Sequence, residues 1–242
     1  MQKHFFFDLD NTLTPSKSLI EAAHVPILKQ LAERADVIVV SGHGEADIRS
    51  HLTEALHGHF YTLGQNGNRA VTKEGEILWN NSLKKEQRDA ILAFIAKARA
   101  LLDYKVRDEN DIIEDRDSQI AFSLIGHHED KAKKDAFDPR HEIRFKLLTD
   151  LAADVEILKA ANVEVRIGGT TNLDFFEYGK NKGYNVNLFI EKMGWNKSDC
   201  IYIGDALFPG GNDETVVGVI ETHPVKDHNE TYSYLSSILL NS

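Results

Sequence analysis

The sequence predicts an α/β protein: a doubly wound parallel sheet with an inserted α+β domain. Three observations predict it. Short apolar runs that stop at polar residues alternate with amphipathic stretches of helical period. That rhythm breaks near residue 64 and resumes near residue 182. The length of 242 residues, against a soft prior of about 150 per domain, suits one elaborate domain or two modest ones.

The first run, Phe5-Phe6-Phe7, is short and wholly apolar, as in a parallel strand buried on both faces, and it stops at Asp8. Val25, Ile27, Leu28 and Leu31 share one helical face, with Pro26 tolerated in a first turn. A second strand over 37–40 stops at Ser41-Gly42. Ile48, Leu52, Ala55 and Leu56 predict a second helix before a third strand over 60–63, which completes βαβαβ. Residues 69–72 and 76–79 then flank Lys73-Glu74-Gly75 as a hairpin.

A different pattern follows. Long helices are expected over 83–102 and 139–161, and strands over 111–114, 120–124, 163–167 and 173–176. This helix-strand-strand-helix-strand-strand order is self-contained, so 82–178 is expected to be inserted between the core segments 1–81 and 179–242. The charged run 129–135 is expected to be a solvated loop or helix start. The first rhythm then returns with a helix from Lys182, a strand over 200–203 ending at Gly204-Asp205, a short strand over 216–220 and a helix over 230–240.

Charge and composition exclude several partners. The 28 Lys and Arg against 38 Asp and Glu give −10, a field that repels nucleic-acid backbones and anionic lipid surfaces. No apolar run approaches the roughly 18 residues of a membrane span, and three Phe after Met1-Gln2-Lys3-His4 are too few for a signal peptide. One cysteine, Cys200, cannot form an internal disulfide, and a cytoplasmic location is expected. His57, His59, His127 and His128 have no helix-face ligand spacing and no companion cysteine, so a zinc site is not expected among them.

In a doubly wound sheet, ligands bind beyond the carboxyl ends of the strands. Asp8, Asp10, Ser41 and Asp205 all fall there. Carboxylates crowded at one edge need a cation between them, and an oxygen-only set suits Mg²⁺. Two carboxylates two residues apart allow one to attack phosphorus while the other handles the leaving-group proton. Asp8 on the metal is expected to stay ionised, and Asp10 beside it to hold a proton. Lys182 supplies the cation for nucleophile and phosphoryl oxygens.

These residues resemble the haloacid dehalogenase-like phosphotransferases. The first motif of that family, Asp-x-Asp-x-Thr, is matched by Asp8-Leu9-Asp10-Asn11-Thr12, the second by Val39-Val40-Ser41-Gly42, the third by Lys182-Gly183, and the fourth by Gly204-Asp205 with Gly211-Asn212-Asp213. The stretch from Ile203 to Glu214 and Glu114-Asp115-Arg116 are further similar to the eukaryotic-type phosphomannomutases, a likeness spanning nearly the whole chain. The resemblance implies catalysis by Asp8, Asp10, Ser41 and Lys182, and Mg²⁺ held by Asp8, Asp10, Asp205 and Asp213. It implies an inserted cap over the active site, possession of a small phosphorylated substrate such as a sugar phosphate, and a homodimer through the cap. Substrate contacts are implied for Lys17, Gly42, Arg116, His127, Lys134, Asn172, Asp174 and Asn212. Of these, Lys17, His127 and Lys134 stand where that family has arginines, and Asn172 where it has serine. Neither Lys nor His reproduces a bidentate guanidinium grip on phosphate, so hydrolysis is expected to outrun interconversion of hexose 1- and 6-phosphates. An inactive phosphosugar-binding module is the alternative of another class; the intact motif set argues against it.

Overall fold

The computed structural model describes residues 2–240. In chain order the strands and helices are β1 (His4–Phe7), α1 (Val25–Ala32), β2 (Asp36–Val40), α2 (Glu45–Leu52), β3 (Phe60–Gly64), β4 (Arg69–Val71) and β5 (Ile77–Asn80). There follow α3 (Lys85–Leu101), β6 (Ile113–Asp115), β7 (Gln119–Ser123), α4 (Lys131–Phe137), α5 (Glu142–Asp150), α6 (Ala152–Ala160), β8 (Val163–Gly168) and β9 (Asn172–Glu177). The chain ends through α7 (Lys182–Met193), β10 (Cys200–Gly204), β11 (Glu221–Pro224) and α8 (His228–Leu240). Two compact units result, one from the segments up to Asn80 and from Lys180 onward, the other Asn81–Gly179. No helix among the described residues is long and apolar enough to cross a membrane.

In the first unit a seven-stranded sheet runs β11-β10-β1-β2-β3-β4-β5, parallel from β11 to β3, with the β4–β5 hairpin added antiparallel. Alternation sorts its side chains onto two faces. Phe5, Phe7, Val37, Val39 and Ile201 pack with Leu28 and Leu31 of α1, Ile48 of α2 and Leu235 of α8. Phe6, Ile38, Val40 and Tyr202 pack on the other side with Val186, Phe189 and Ile190 of α7. Both faces are therefore covered, which is why these strands read as unbroken apolar runs. Register pairs Phe7 with Val39 and with Ile203, so Asp8, Ser41 and Asp205 leave the sheet at one edge.

The second unit is a four-stranded antiparallel sheet, β6-β7-β9-β8. Phe122, Leu173 and Phe175 face a core built with Ile91, Phe94 and Ile95 of α3, Leu147 of α5 and Leu158 of α6. The intervening residues of the strands, including Ser123, Asn172 and Asp174, turn to the opposite face.

Several predicted elements change. The second helix stops at Leu52, because Thr53 takes φ 64 and the chain continues as a short 3-10 turn over Glu54–Leu56. The strand predicted from Asp111 begins at Ile113, Asp111 closing a 3-10 turn capped by Asp108. The helix predicted over 139–161 is two helices, α5 and α6, broken at the buried Leu151. The run 129–135 folds into α4, capped by the Asp130 side chain on the Lys133 N–H. Residues 216–220 form no strand in the sheet: Val216 ends a 3-10 turn and the edge strand is β11.

Candidate active site

Asp8 follows β1 and is 4% exposed. Its N–H donates to the Ile203 carbonyl at 3.0 Å, which extends the sheet one step and fixes where the carboxylate leaves it. Lys182, the first residue of α7, is 1% exposed and donates from Nζ to Asp8 Oδ1 at 2.5 Å and Asp213 Oδ1 at 2.7 Å. The Tyr202 hydroxyl on β10 donates to the same Asp213 oxygen at 2.7 Å. Asp205 completes the group: carboxylate oxygens of Asp8, Asp205 and Asp213 all lie within 4.8 Å of one another.

Local chemistry explains the loops that carry these groups. Asn11 takes φ 57, a left-handed conformation that asparagine tolerates, and donates from Nδ2 to Asp205 Oδ2 at 3.3 Å. The buried Thr12 hydroxyl accepts the Asp205 N–H at 3.1 Å, so the first and fourth motifs are tied directly. Two glycines are required by close approach. A Cβ on Gly204 would lie 2.4 Å from Asp213 Oδ2, and one on Gly183 would lie 1.9 Å from the Thr215 carbonyl oxygen.

Burial and mutual repulsion set the electrostatics. Burial pushes the Asp8 carboxyl well above the usual carboxylate range; Lys182 draws it down, and Asp213 and Asp205 push it up again. Asp205 is raised by the same causes, burial first and then Asp213. Burial works against the Lys182 ammonium, yet Asp213 and Asp8 hold its pKa above that of an ordinary lysine. The cluster thus presents three carboxylates to one ammonium. Asp213 is fully buried, and its Oδ2 has no hydrogen-bond partner. An unpartnered buried carboxylate oxygen inside a hard, oxygen-only donor set fits a Mg²⁺ ion.

Asp10 departs from expectation twice. Its carboxylate lies outside the three-carboxylate group: Oδ2 pairs with His43 Nε2 at 2.8 Å and Oδ1 accepts the Lys17 N–H at 2.6 Å. Against the cost of burial, the His43 hydrogen bond and charge, with the Lys17 N–H, hold its pKa down to about 2. Asp10 is accordingly ionised, and the group expected to share Asp8's metal is held by His43 instead.

Ser41 follows β2, is 2% exposed and accepts the His43 N–H on Oγ at 3.2 Å. Gly42 lies between them on this turn, half-buried. Lys17 takes φ 52 and meets Asp10 through its backbone. Asn212 is exposed on the turn before Asp213. Tyr202 and His43 are hydrogen-bond partners of Asp213 and Asp10 that motif reading misses. Tyr202 is hidden in an apolar strand, and His43 is visible only as the second residue after Ser41.

The remaining predicted contacts belong to the second unit. Arg116 donates from Nη2 to Glu114 Oε2 at 2.6 Å. His127 Nε2 lies 3.3 Å from the Ala121 carbonyl, and burial lowers its pKa, so the ring is neutral at neutral pH. Lys134, expected in a solvated run, is 4% exposed with Nζ donating to the His127 carbonyl at 2.8 Å. Asn172 and Asp174 lie on β9 opposite Ser123 and Ala121 of β7.

A parallel sheet with a buried Asp-Lys-Asp bridge and two further motif loops at its carboxyl edge defines a phosphoryl-transferring α/β enzyme, and comparison with known families agrees. Residues 5–213 match the haloacid dehalogenase-like hydrolase family, and the chain belongs to it. It is an enzyme of the phosphatase or phosphomutase kind. Among curated proteins it is 27% identical to a phosphomannomutase of Oryza sativa subsp. indica, over 97% of this chain and 94% of that protein. It is 26% identical to phosphomannomutase 1 of Dictyostelium discoideum, over 96% and 94%. Among solved structures, a haloacid dehalogenase-like hydrolase from Bacteroides thetaiotaomicron superposes with TM-score 0.69 at 16% identity, covering 98% of this chain and all of that one. The IMP-nucleotidase of Plasmodium falciparum, as the D172N mutant with IMP bound, gives TM-score 0.69 at 14% identity, covering 100% of this chain and 67% of its own. At those identities the two structures speak for the fold.

Proposed function

We propose that the protein is a Mg²⁺-dependent phosphatase that hydrolyses small phosphomonoesters, such as hexose phosphates, through a phosphoryl group carried on Asp8. The observation that carries this reading is the buried Asp8–Lys182–Asp213 bridge with a spare Asp213 oxygen beside it. Bound at Asp8, Asp205 and Asp213, Mg²⁺ would neutralise charge on the phosphoryl oxygens. An Asp8 oxygen attacks phosphorus in line, the phosphorus–oxygen bond to the leaving group breaks, and the departing alkoxide takes the proton shared by the hydrogen-bonded Asp10–His43 pair, which is left one proton poorer. Water then attacks phosphorus, the Asp8–phosphorus bond breaks, and the water's proton passes to the Asp10–His43 pair, which regains the one it gave to the leaving group. Lys182 and the Ser41 hydroxyl bind the equatorial oxygens.

Hydrolysis is favoured over mutase action by what His127 and Lys134 do. One presents a neutral ring on a backbone carbonyl and the other an ammonium bonded to a carbonyl, so neither supplies the guanidinium that would hold a distal phosphate. The mutase reading draws on the phosphomannomutase relatives, alike over nearly the full chain, and on the retained Arg116. Quenching the turning-over enzyme and reducing it with borohydride, then mapping the product by mass spectrometry, tests the shared first step. Label on Asp8 is expected; phosphate release with Asp8 unlabelled would overturn it.

A further inference from the structure

Two stretches far apart in the sequence meet at the start of α1. Glu21 precedes that helix, His24 is its N-cap residue and His228 opens α8. Glu21 Oε1 is 3.1 Å from His228 Nε2, and Glu21 Oε2 is 4.0 Å from His24 Nδ1. One ligand atom from each lies within 4.8 Å of the other two. None of the three belongs to the Asp8–Asp205–Asp213 group or to any motif of the reaction.

We propose that Glu21, His24 and His228 form a second metal site, for a borderline divalent ion of the zinc type, that clamps α1 to α8. Four features carry it. First, the donor set of two imidazoles and one carboxylate suits Zn²⁺ and disfavours Mg²⁺, which suits the all-oxygen cluster instead. Second, ligand atoms about 2.0–2.1 Å from a tetrahedral ion stand roughly 3.4 Å apart, and Glu21 comes within 3.1 Å of His228 through one carboxylate oxygen and 4.0 Å of His24 through the other. Third, His24 Nδ1 is buried without a hydrogen-bond partner. Its side chain is 12% exposed and performs no helix-capping bond. Fourth, the ring is already oriented, since it stacks on Tyr232 with centroids 3.9 Å apart and planes 13° apart. The Tyr232 hydroxyl in turn donates to the Leu13 carbonyl at 3.0 Å, which anchors this platform to the loop carrying Asp10. Glu21 is half-exposed, which leaves an entry path and a fourth position for water.

The test uses tag-free full-length protein in excess Mg²⁺, so that the carboxylate cluster is filled. Zn²⁺ titration by calorimetry is expected to show about one site per chain, Co²⁺ to give the intense visible absorption of a tetrahedral nitrogen-oxygen site, and Zn²⁺ to raise Tm. Glu21→Gln, at an exposed position, should weaken Zn²⁺ by roughly tenfold or more, and His24→Gln and His228→Gln should abolish the Co²⁺ spectrum. Asp205→Asn should leave all three signals in place. The proposal is overturned if wild type binds no Zn²⁺ beside Mg²⁺, or if Glu21→Gln and His228→Gln bind it unchanged. It is equally overturned if Asp205→Asn, and not the histidine variants, removes the signals. In each case Glu21 and His228 would be an ordinary surface ion pair.

Discussion

At the carboxyl edge of the parallel sheet, Lys182 holds its ammonium between Asp8 and Asp213 while an Asp213 oxygen stays unpartnered. In the second unit, the fully buried Arg144 meets a different fate. Its guanidinium is shared among Asp138, the Gly168 and Gly169 carbonyls and the Asn172 carbonyl, and Asp138 also accepts the N–H groups of Ile143 and Arg144. Both are buried cations with carboxylate partners. One network is closed, with acceptors matched to donors, and serves the β8–β9 turn; the other has acceptors in excess, the arrangement that fits a further cation. Burial of charge alone therefore does not mark a functional site. The mismatch between donors and acceptors does.

Substitution separates the two networks. Asp8→Asn should have the largest effect, lowering kcat by roughly a thousandfold or more with folding intact, because an amide is a far weaker nucleophile. Steady-state phosphate release measures it, and activity within tenfold of wild type would remove Asp8 from the reaction. Lys182→Met should cost about 10²–10³ in kcat. Its loss of Tm in EDTA should be partly restored by Mg²⁺, since a second cation takes up the same carboxylates. Arg144→Met should cost about 3–5 kcal/mol of stability, the usual cost of stranding one member of a buried ion pair, with no rescue by Mg²⁺. Equal Mg²⁺ rescue of the two variants would erase the distinction drawn between the networks.

Two smaller effects are expected at the carboxyl edge. Asp10 is held near 2 in the folded state by His43 and the Lys17 N–H. A depressed carboxylate stabilises the fold above its unfolded pKa near 4, and that contribution, about 2 kcal/mol, disappears as pH falls from about 4 toward 2. Denaturant titrations across that window should show a shallower acid loss in His43→Ala than in wild type. Tyr202→Phe removes the hydroxyl on Asp213 Oδ1 and should raise the Mg²⁺ requirement roughly tenfold, with kcat at saturating metal little changed. An unaltered Mg²⁺ dependence would make Tyr202 a packing residue.

The fold's legibility in sequence follows from physics at short range. Strands buried on both faces are largely apolar, so β1, β2, β3 and β10 announce themselves, and a polar side chain just past such a strand's end has few structural reasons to be there. Asp8, Ser41 and Asp205 are readable for that cause. What was hidden depends on contacts between distant positions. Nothing local tells that Tyr202 turns its hydroxyl to Asp213, or that His43 draws Asp10 away from the other carboxylates and keeps it ionised. The break between α5 and α6 was likewise invisible, because Leu151 continues the apolar period that the backbone abandons there. Lys134 read as solvated from its charged neighbours, yet α4 turns it inward.

Water, and not a second sugar phosphate, is the proposed acceptor of the phosphoryl group on Asp8. Hexose 1-phosphate supplied with Mg²⁺, and followed at once for released phosphate and for conversion to the 6-phosphate, tests it most directly. Phosphate release is expected to exceed isomer conversion in wild type, and His127→Arg to shift the ratio toward conversion. Many isomer conversions per phosphate released by wild type would contradict the account and make the protein a phosphomutase.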